Sequence, residues 1–172
     1  TGKSPAFGGS CIREEATGYG TIYFLKQYLE NSGGALQDKK ALISGAGNVA
    51  LFAAQKLLDL DVTVKSVSDS DGTLEFKEGL THDLLNALKE LKFEKRGRLS
   101  EMEEGRFKSQ VRYHKDKQPW GLEGAHVAIP AATQNEIGEK EAKDLLGSPF
   151  LLPAMWFLMF PNWTRGFGGF PP

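Results

Sequence analysis

Cysteine is almost missing from this chain of 172 residues, where Cys11 stands alone. A single thiol excludes an internal disulfide, so stability has to come from a packed core. Histidine is scarce as well, and His82, His114 and His126 share no metal-ligand spacing with one another or with Cys11. Charge imbalance is also missing. Lys and Arg total 21 against 22 Asp and Glu, which leaves no field to draw nucleic acid or an anionic membrane surface. No stretch reads as a membrane span. The apolar run of 149–161 is interrupted by Pro149, Pro153 and Pro161, whereas a spanning helix needs about 20 mostly apolar residues.

Familiar catalytic and metal signatures are absent too. Thr1-Gly2-Lys3-Ser4 ends like a P-loop but has no glycine five residues before Gly2 and no preceding strand. Asp69-Ser70-Asp71-Gly72 lacks the twelve-residue frame of a calcium loop and reads as a turn. Ser10 sits in no G-x-S-x-G context. The chain opens at Thr1 with neither an apolar nor a basic amphipathic leader. The expectation is therefore a cytoplasmic location and a piece from the interior of a longer protein.

What is present fits one globular domain of α/β class: 40% hydrophobic and 25% charged residues are ordinary for a soluble fold of this length. After a Gly-rich approach over 1–15, the pattern predicts a helix over 16–31, with Ile22, Leu25 and Leu29 on one face and Gly33-Gly34 closing it. Ala41 to Ser44 reads as a buried strand, 48–60 as a helix, and Val62 to Val67 as a second strand. A short extended piece follows over 73–76. Thr81 then caps a helix whose Leu84, Leu88 and Leu91 face inward. The charged stretch 93–108 reads as a solvated helix or two short ones. Val111 to Tyr113 and Ala125 to Ile129 are further strands, and 138–146 is a last short helix. Alternation of this kind predicts βαβ units in a Rossmann-type, mostly parallel sheet with flanking helices, incomplete on one side. The domain is expected over 1–146. Beyond it, 147–172 forms an atypical aromatic, Pro-rich tail with no charge between Leu145 and Thr164, expected to be poorly ordered apart from an edge strand at Phe150 to Leu152.

The motif that carries chemistry is Gly45-Ala46-Gly47-Asn48-Val49-Ala50, a G-x-G-x-x-A fingerprint between a predicted strand and helix. The first glycine permits a tight turn, the second lets backbone approach a pyrophosphate, and the small sixth residue lets helix and strand pack closely. Free N–H groups at the helix start favour phosphate. Asp69 ends the second strand about 20 residues on, where an acidic residue receives a ribose hydroxyl. Alone it predicts NAD, because a carboxylate repels a 2′-phosphate. Ser70 points the other way, since its hydroxyl can donate to that phosphate, and Lys92, Lys95 and Arg96 can add positive charge; on pattern alone the same cations read first as a solvated face.

Taken together these segments resemble the hexameric glutamate dehydrogenases of the Glu/Leu/Phe/Val dehydrogenase family. The resemblance runs through Thr1-Gly2-Lys3, Phe7-Gly8-Gly9-Ser10, Arg13 and Glu15 to Gly20. It continues through Ser44 to Ala50, Ser68-Asp69-Ser70, Gln118-Pro119-Trp120 and Ile129 to Glu136. Glu14 stands where the family has proline and Ala132 where it has cysteine. The resemblance implies an oxidoreductase of amino-acid metabolism: NADP-dependent, reversible conversion of L-glutamate to 2-oxoglutarate and ammonia, in a homohexameric parent. It further implies Gly45, Gly47, Asn48 and Val49 on the pyrophosphate. Ser70 would approach the 2′-phosphate, with Lys92 and Lys95 as its cationic partners and Asp69 beside it. Arg13, Thr17, Ala132 and Asn135 would flank the nicotinamide. The family's substrate lobe, with the lysines that grip glutamate and the aspartate that moves protons, has no counterpart here. Its E-G-[A/S]-N-M segment after the last helix is replaced by Pro149 to Pro153 and the aromatic tail. Such a chain is expected to be the cofactor-binding part alone, with no catalytic residue of its own. The remaining alternatives are a non-catalytic truncated or frame-shifted product, or a piece of a Leu, Val or Phe dehydrogenase.

Overall fold

The computed structural model describes residues 5–9, 14–146 and 152–153. Helix α1 (Ala16–Asn31) buries Ile22, Leu25 and Leu29 along one stripe. It stops at Gly33, whose φ of 76° permits the reversal, and Gly34 N–H donates back to the Leu29 carbonyl at 2.8 Å. The chain then enters strand β1 (Lys40–Ile43), helix α2 (Asn48–Leu58) and strand β2 (Thr63–Asp69). A tight turn leads into β3 (Gly72–Phe76), and α3 (His82–Lys89) follows under a Thr81 cap, whose hydroxyl accepts from Leu84 N–H. The remaining elements are β4 (Val111–Lys115), β5 (Val127–Ile129), α4 (Glu139–Leu146) and β6 (Leu152–Pro153).

These strands form one sheet in the order β4-β3-β2-β1-β5-β6. Pairings β1–β2, β1–β5 and β5–β6 are parallel, while β3 runs antiparallel to both its neighbours. The architecture is therefore the expected Rossmann-like α/β fold, with β3 the one strand opposing the common direction. Alternation divides the core. Ala41, Ile43, Val127 and Ile129 join the cluster under α1, α2 and α3, whereas Leu42 and Ala128 face the other way onto Trp120, Ala125 and Leu145. A strand buried on both faces reads as an unbroken apolar run, and that is why Ala41-Leu42-Ile43 shows no polar alternation.

One expectation is revised in part. The stretch 93–108 does not form one helix but carries short helical turns, and it is not solvated throughout. After α3 the chain passes through a π-helical turn (Glu90–Glu94) and a 3-10 turn (Leu99–Glu103), and Leu99, Met102 and Phe107 are buried. Its charges face solvent, but these three apolar side chains anchor it on the β3–β4 pair. The edge strand expected at 150–152 is described at Leu152–Pro153, pairing with Val127 and Ala128, and residues 150 and 151 lie outside the described residues. The rest of the aromatic tail, like Arg13, lies outside the described residues. Among the described residues no helix is long and apolar enough to cross a membrane.

Helices α1 and α2 meet at Gly18. A Cβ there would lie 2.7 Å from both Ala53 N and Val49 O, whereas one at Gly20, on the same helix, would meet nothing within 4 Å. Backbone atoms cannot swing aside, so the two sites respond oppositely to the same methyl group. Gly18→Ala is expected to destabilise the chain by about 1–3 kcal/mol through overpacking. Gly20→Ala should stabilise it by about 0.5–1 kcal/mol through helix propensity. Urea denaturation of both variants checks this, and shifts of equal sign would contradict the packing described.

Candidate functional site

Strand β1 ends in the turn Ser44-Gly45-Ala46-Gly47. Gly45 adopts φ 85°, a conformation that disfavours any side chain, and a Cβ there would stand 2.7 Å from the Ala131 carbonyl oxygen. Both conformation and space therefore demand glycine. Hydrogen bonds hold the turn from two sides. Toward β2, Gly45 N–H donates to Ser68 Oγ at 3.0 Å, and Ser68 N–H donates to Gly45 O at 3.3 Å. Toward β5, Ser44 N–H donates to Ile129 O at 3.1 Å, and Ala131 N–H donates to Ser44 Oγ at 2.9 Å.

Helix α2 opens directly after it. Gly47 occupies the cap position, makes no side-chain cap and is exposed, and a Cβ on it would meet nothing within 4 Å. No acidic residue lies in the first turn. The helix thus presents unsatisfied N–H groups and its positive dipole end to open space, with Asn48 exposed and Val49 half-buried beside it. The sheet order makes this a switch point: from β1 the chain crosses through α2 to β2 on one side, while β5 lies on the other. Crevices at such points are where ligands bind in open α/β sheets.

The far end of the crevice is the turn after β2. The Asp69 side chain is only 7% exposed, and its carboxylate is already committed. It accepts from Leu99 N–H at 3.0 Å and Asp71 N–H at 3.1 Å, with Lys92 Nζ at 3.7 Å. Lys92 also donates to the Gly97 carbonyl at 2.9 Å. Ser70 is exposed. Its hydroxyl donates to Asp71 Oδ1 at 2.9 Å and accepts from Arg98 Nη1 at 2.8 Å, while Arg98 Nε lies 3.4 Å from Asp71 Oδ2. Arg98 is therefore the cation that the structure brings to Ser70. Lys92 serves Asp69, and Lys95 pairs with Glu90 at 2.8 Å, a bond that raises the lysine's pKa and lowers the glutamate's. The helical register ends before Lys95. Arg96 turns through φ 54°, and Gly97 N–H donates back to Leu91 O at 2.9 Å, which returns Arg98 over the β2 turn.

At the near end, Ala132 and Asn135 are exposed on the loop after β5, Asn135 with φ 56°. Ala132 N–H donates to Glu136 Oε1 at 3.3 Å. Burial pushes the Glu136 carboxyl above its ordinary value, partly offset by hydrogen bonds from Ser44 and Ala132. Thr17 is exposed at the start of α1, next to Gly18 and hence beside the first turn of α2. Arg98, Glu136 and Ser44 were not singled out as site residues from the sequence. Arg98 is masked by a run of neighbouring charges, and Glu136 acts through a loop whose shape no periodicity encodes.

Comparison with known proteins agrees with this geometry. Residues 8–150 match the profile of the Glutamate/Leucine/Phenylalanine/Valine dehydrogenase family. The chain is 46% identical over 148 residues to the NAD(P)-specific glutamate dehydrogenase of Xylanibacter ruminicola, covering 86% of itself and 32% of that protein. It is 45% identical over 149 residues to the NADP-specific glutamate dehydrogenase of Giardia intestinalis, covering 33% of that protein. Among solved structures it superposes on the glutamate dehydrogenase of Plasmodium falciparum with a TM-score of 0.81 at 40% identity, over 87% of this chain and 32% of that one. The chain thus spans about a third of the length of the curated relatives it matches. On sequence, fold and the geometry of the crevice, it belongs to the Glutamate/Leucine/Phenylalanine/Valine dehydrogenase family.

Proposed function

We propose that this chain is the cofactor-binding part of an NADP-dependent glutamate dehydrogenase, acting in the reversible oxidative deamination of L-glutamate to 2-oxoglutarate and ammonia. One observation carries the cofactor reading: Ser70 and Arg98 form a hydroxyl–guanidinium pair at the end of β2, while the adjacent Asp69 is turned inward onto Lys92 and two backbone N–H groups. A carboxylate free at that position would favour a 2′-hydroxyl and repel a phosphate; here it is neutralised, and a bidentate-capable cation is exposed in its place. The names of relatives support the same reading, since the Giardia protein is NADP-specific and the Xylanibacter protein takes NAD or NADP.

The uncapped start of α2 would hold the pyrophosphate through backbone N–H groups at Gly47, Asn48 and Val49, with Gly45 admitting the close approach. Ser70 and Arg98 would hold the 2′-phosphate, with Lys92 keeping Asp69 from opposing it and Lys95 standing outside that contact. Thr17, Ala132 and Asn135 would flank the nicotinamide, together with Arg13. Bound NADP supplies the hydride acceptor. The chain's own residues orient it, and the substrate belongs to the portion of the relatives that this chain does not span. The reading carries with it a homohexameric assembly, a cytoplasmic location, and a division of the chain near residue 146.

Arg98→Ala is expected to weaken NADPH binding by roughly tenfold or more, the loss of a charge-assisted bond, with NADH changed less than about twofold. Calorimetry with both cofactors reads this, and equal losses for the two would remove Arg98 from the 2′-phosphate. Assayed by itself with glutamate and NADP, the chain is expected to produce no NADPH. Turnover that disappears when a residue within these 172 is changed would overturn the division of labour.

A further inference from the structure

Arg98 and Ser70 are not free in this structure, because one carboxylate, Asp71, holds both. Its Oδ1 accepts the Ser70 hydroxyl proton at 2.9 Å, and its Oδ2 lies 3.4 Å from Arg98 Nε. The Asp71 side chain is 48% exposed at the mouth of the crevice, in contrast to Asp69 just before it. Asp116 joins the same turn through its N–H to the Asp71 carbonyl. We propose that Asp71 is a specificity-determining residue that tempers the preference for a 2′-phosphate and lets this chain take NADH as well as NADPH; the proposal rests on the cofactor reading above.

A hydroxyl has one proton. For Ser70 to donate to a 2′-phosphate it must release Asp71, and Arg98 must divide its guanidinium between phosphate and carboxylate. Both changes leave the Asp71 charge less compensated beside a group carrying close to two negative charges at neutral pH. A cofactor with a 2′-hydroxyl meets no such conflict. The hydroxyl can donate to the Asp71 carboxylate while Arg98 stays in place. The same side chain therefore opposes one cofactor and accommodates the other, and it does so without touching the pyrophosphate site. The fold of the turn does not depend on the carboxylate, because its hydrogen bonds to Asp69 and Asp116 run through the Asp71 backbone.

The test uses 2′,5′-ADP and 5′-AMP as probes on the full chain, alongside NADPH and NADH. Asp71→Asn keeps an acceptor for Ser70 and removes the charge, and Asp71→Ser is the second variant should the amide perturb the turn. Both are expected to tighten 2′,5′-ADP about 5–30-fold at low salt and to weaken 5′-AMP about two- to fivefold, and the difference from the unmodified chain should shrink as salt screens its carboxylate. Arg98→Ala separates this inference from the one beneath it. If Arg98→Ala abolishes discrimination between the probes while neither Asp71 variant changes it, the cofactor reading stands and the role of Asp71 is overturned. If Arg98→Ala leaves discrimination intact, both fall. An unmodified chain that already rejects NADH by more than about a hundredfold would likewise overturn the proposal.

Discussion

The site depends on the absence of one methyl group at Gly45. Its φ of 85° turns the chain from β1 toward α2, and the Ala131 carbonyl would stand 2.7 Å from any Cβ. That single residue sets the aim of α2 and the distance between β1 and the loop after β5. The serines then lock what the glycine permits: Ser68 and Ser44 bind the turn to β2 and to β5 respectively. Both serines are buried, and each hydroxyl oxygen accepts a backbone N–H that would otherwise go unmet. The open end of α2 is therefore preorganised by the sheet, with no side-chain cap competing for the N–H groups that a ligand would take.

Electrostatics at the other end of the crevice follow from how deeply each aspartate sits. Asp69 is almost enclosed, and it is held by Lys92 and by the N–H groups of Leu99 and Asp71, which satisfy a buried carboxylate. Asp71, two residues on, is exposed and shares its charge with Ser70 and Arg98. Alternate residues in an extended-to-turn segment thus take a structural and a selective role. A reading that weighs Asp69 by its position in the chain assigns it to the ribose. Its hydrogen bonds assign it to the scaffold.

Much of the fold was legible because its elements are governed by local rules. Helix α1 begins and ends where the apolar stripe and Gly33 put it, and Thr81 caps α3 as a hydroxyl before a helix should. The fingerprint Gly45 to Ala50 lies at the strand–helix junction that its chemistry requires. The segment after α3 was not legible. Leu99 and Met102 are three apart in a 3-10 turn, Phe107 follows five residues after Met102, and surrounding charges hide all three from a periodicity count. The same irregular path carries Arg98 to Ser70, a contact that no periodicity of the segment announces.

Glu136 ties the stability of the loop after β5 to pH. The carboxyl receives the Ala132 N–H and stands by Ser44, yet burial raises its pKa because those bonds do not fully replace water. A carboxyl whose pKa is higher in the folded chain holds its proton longer there than in the unfolded chain. Ionising it, as pH rises from the unfolded value through the raised one, therefore removes stability, and acid restores it. This is opposite in sign to a carboxylate held by a strong ion pair. The Ala132 N–H bond favours the ionised carboxylate and so offsets part of that loss.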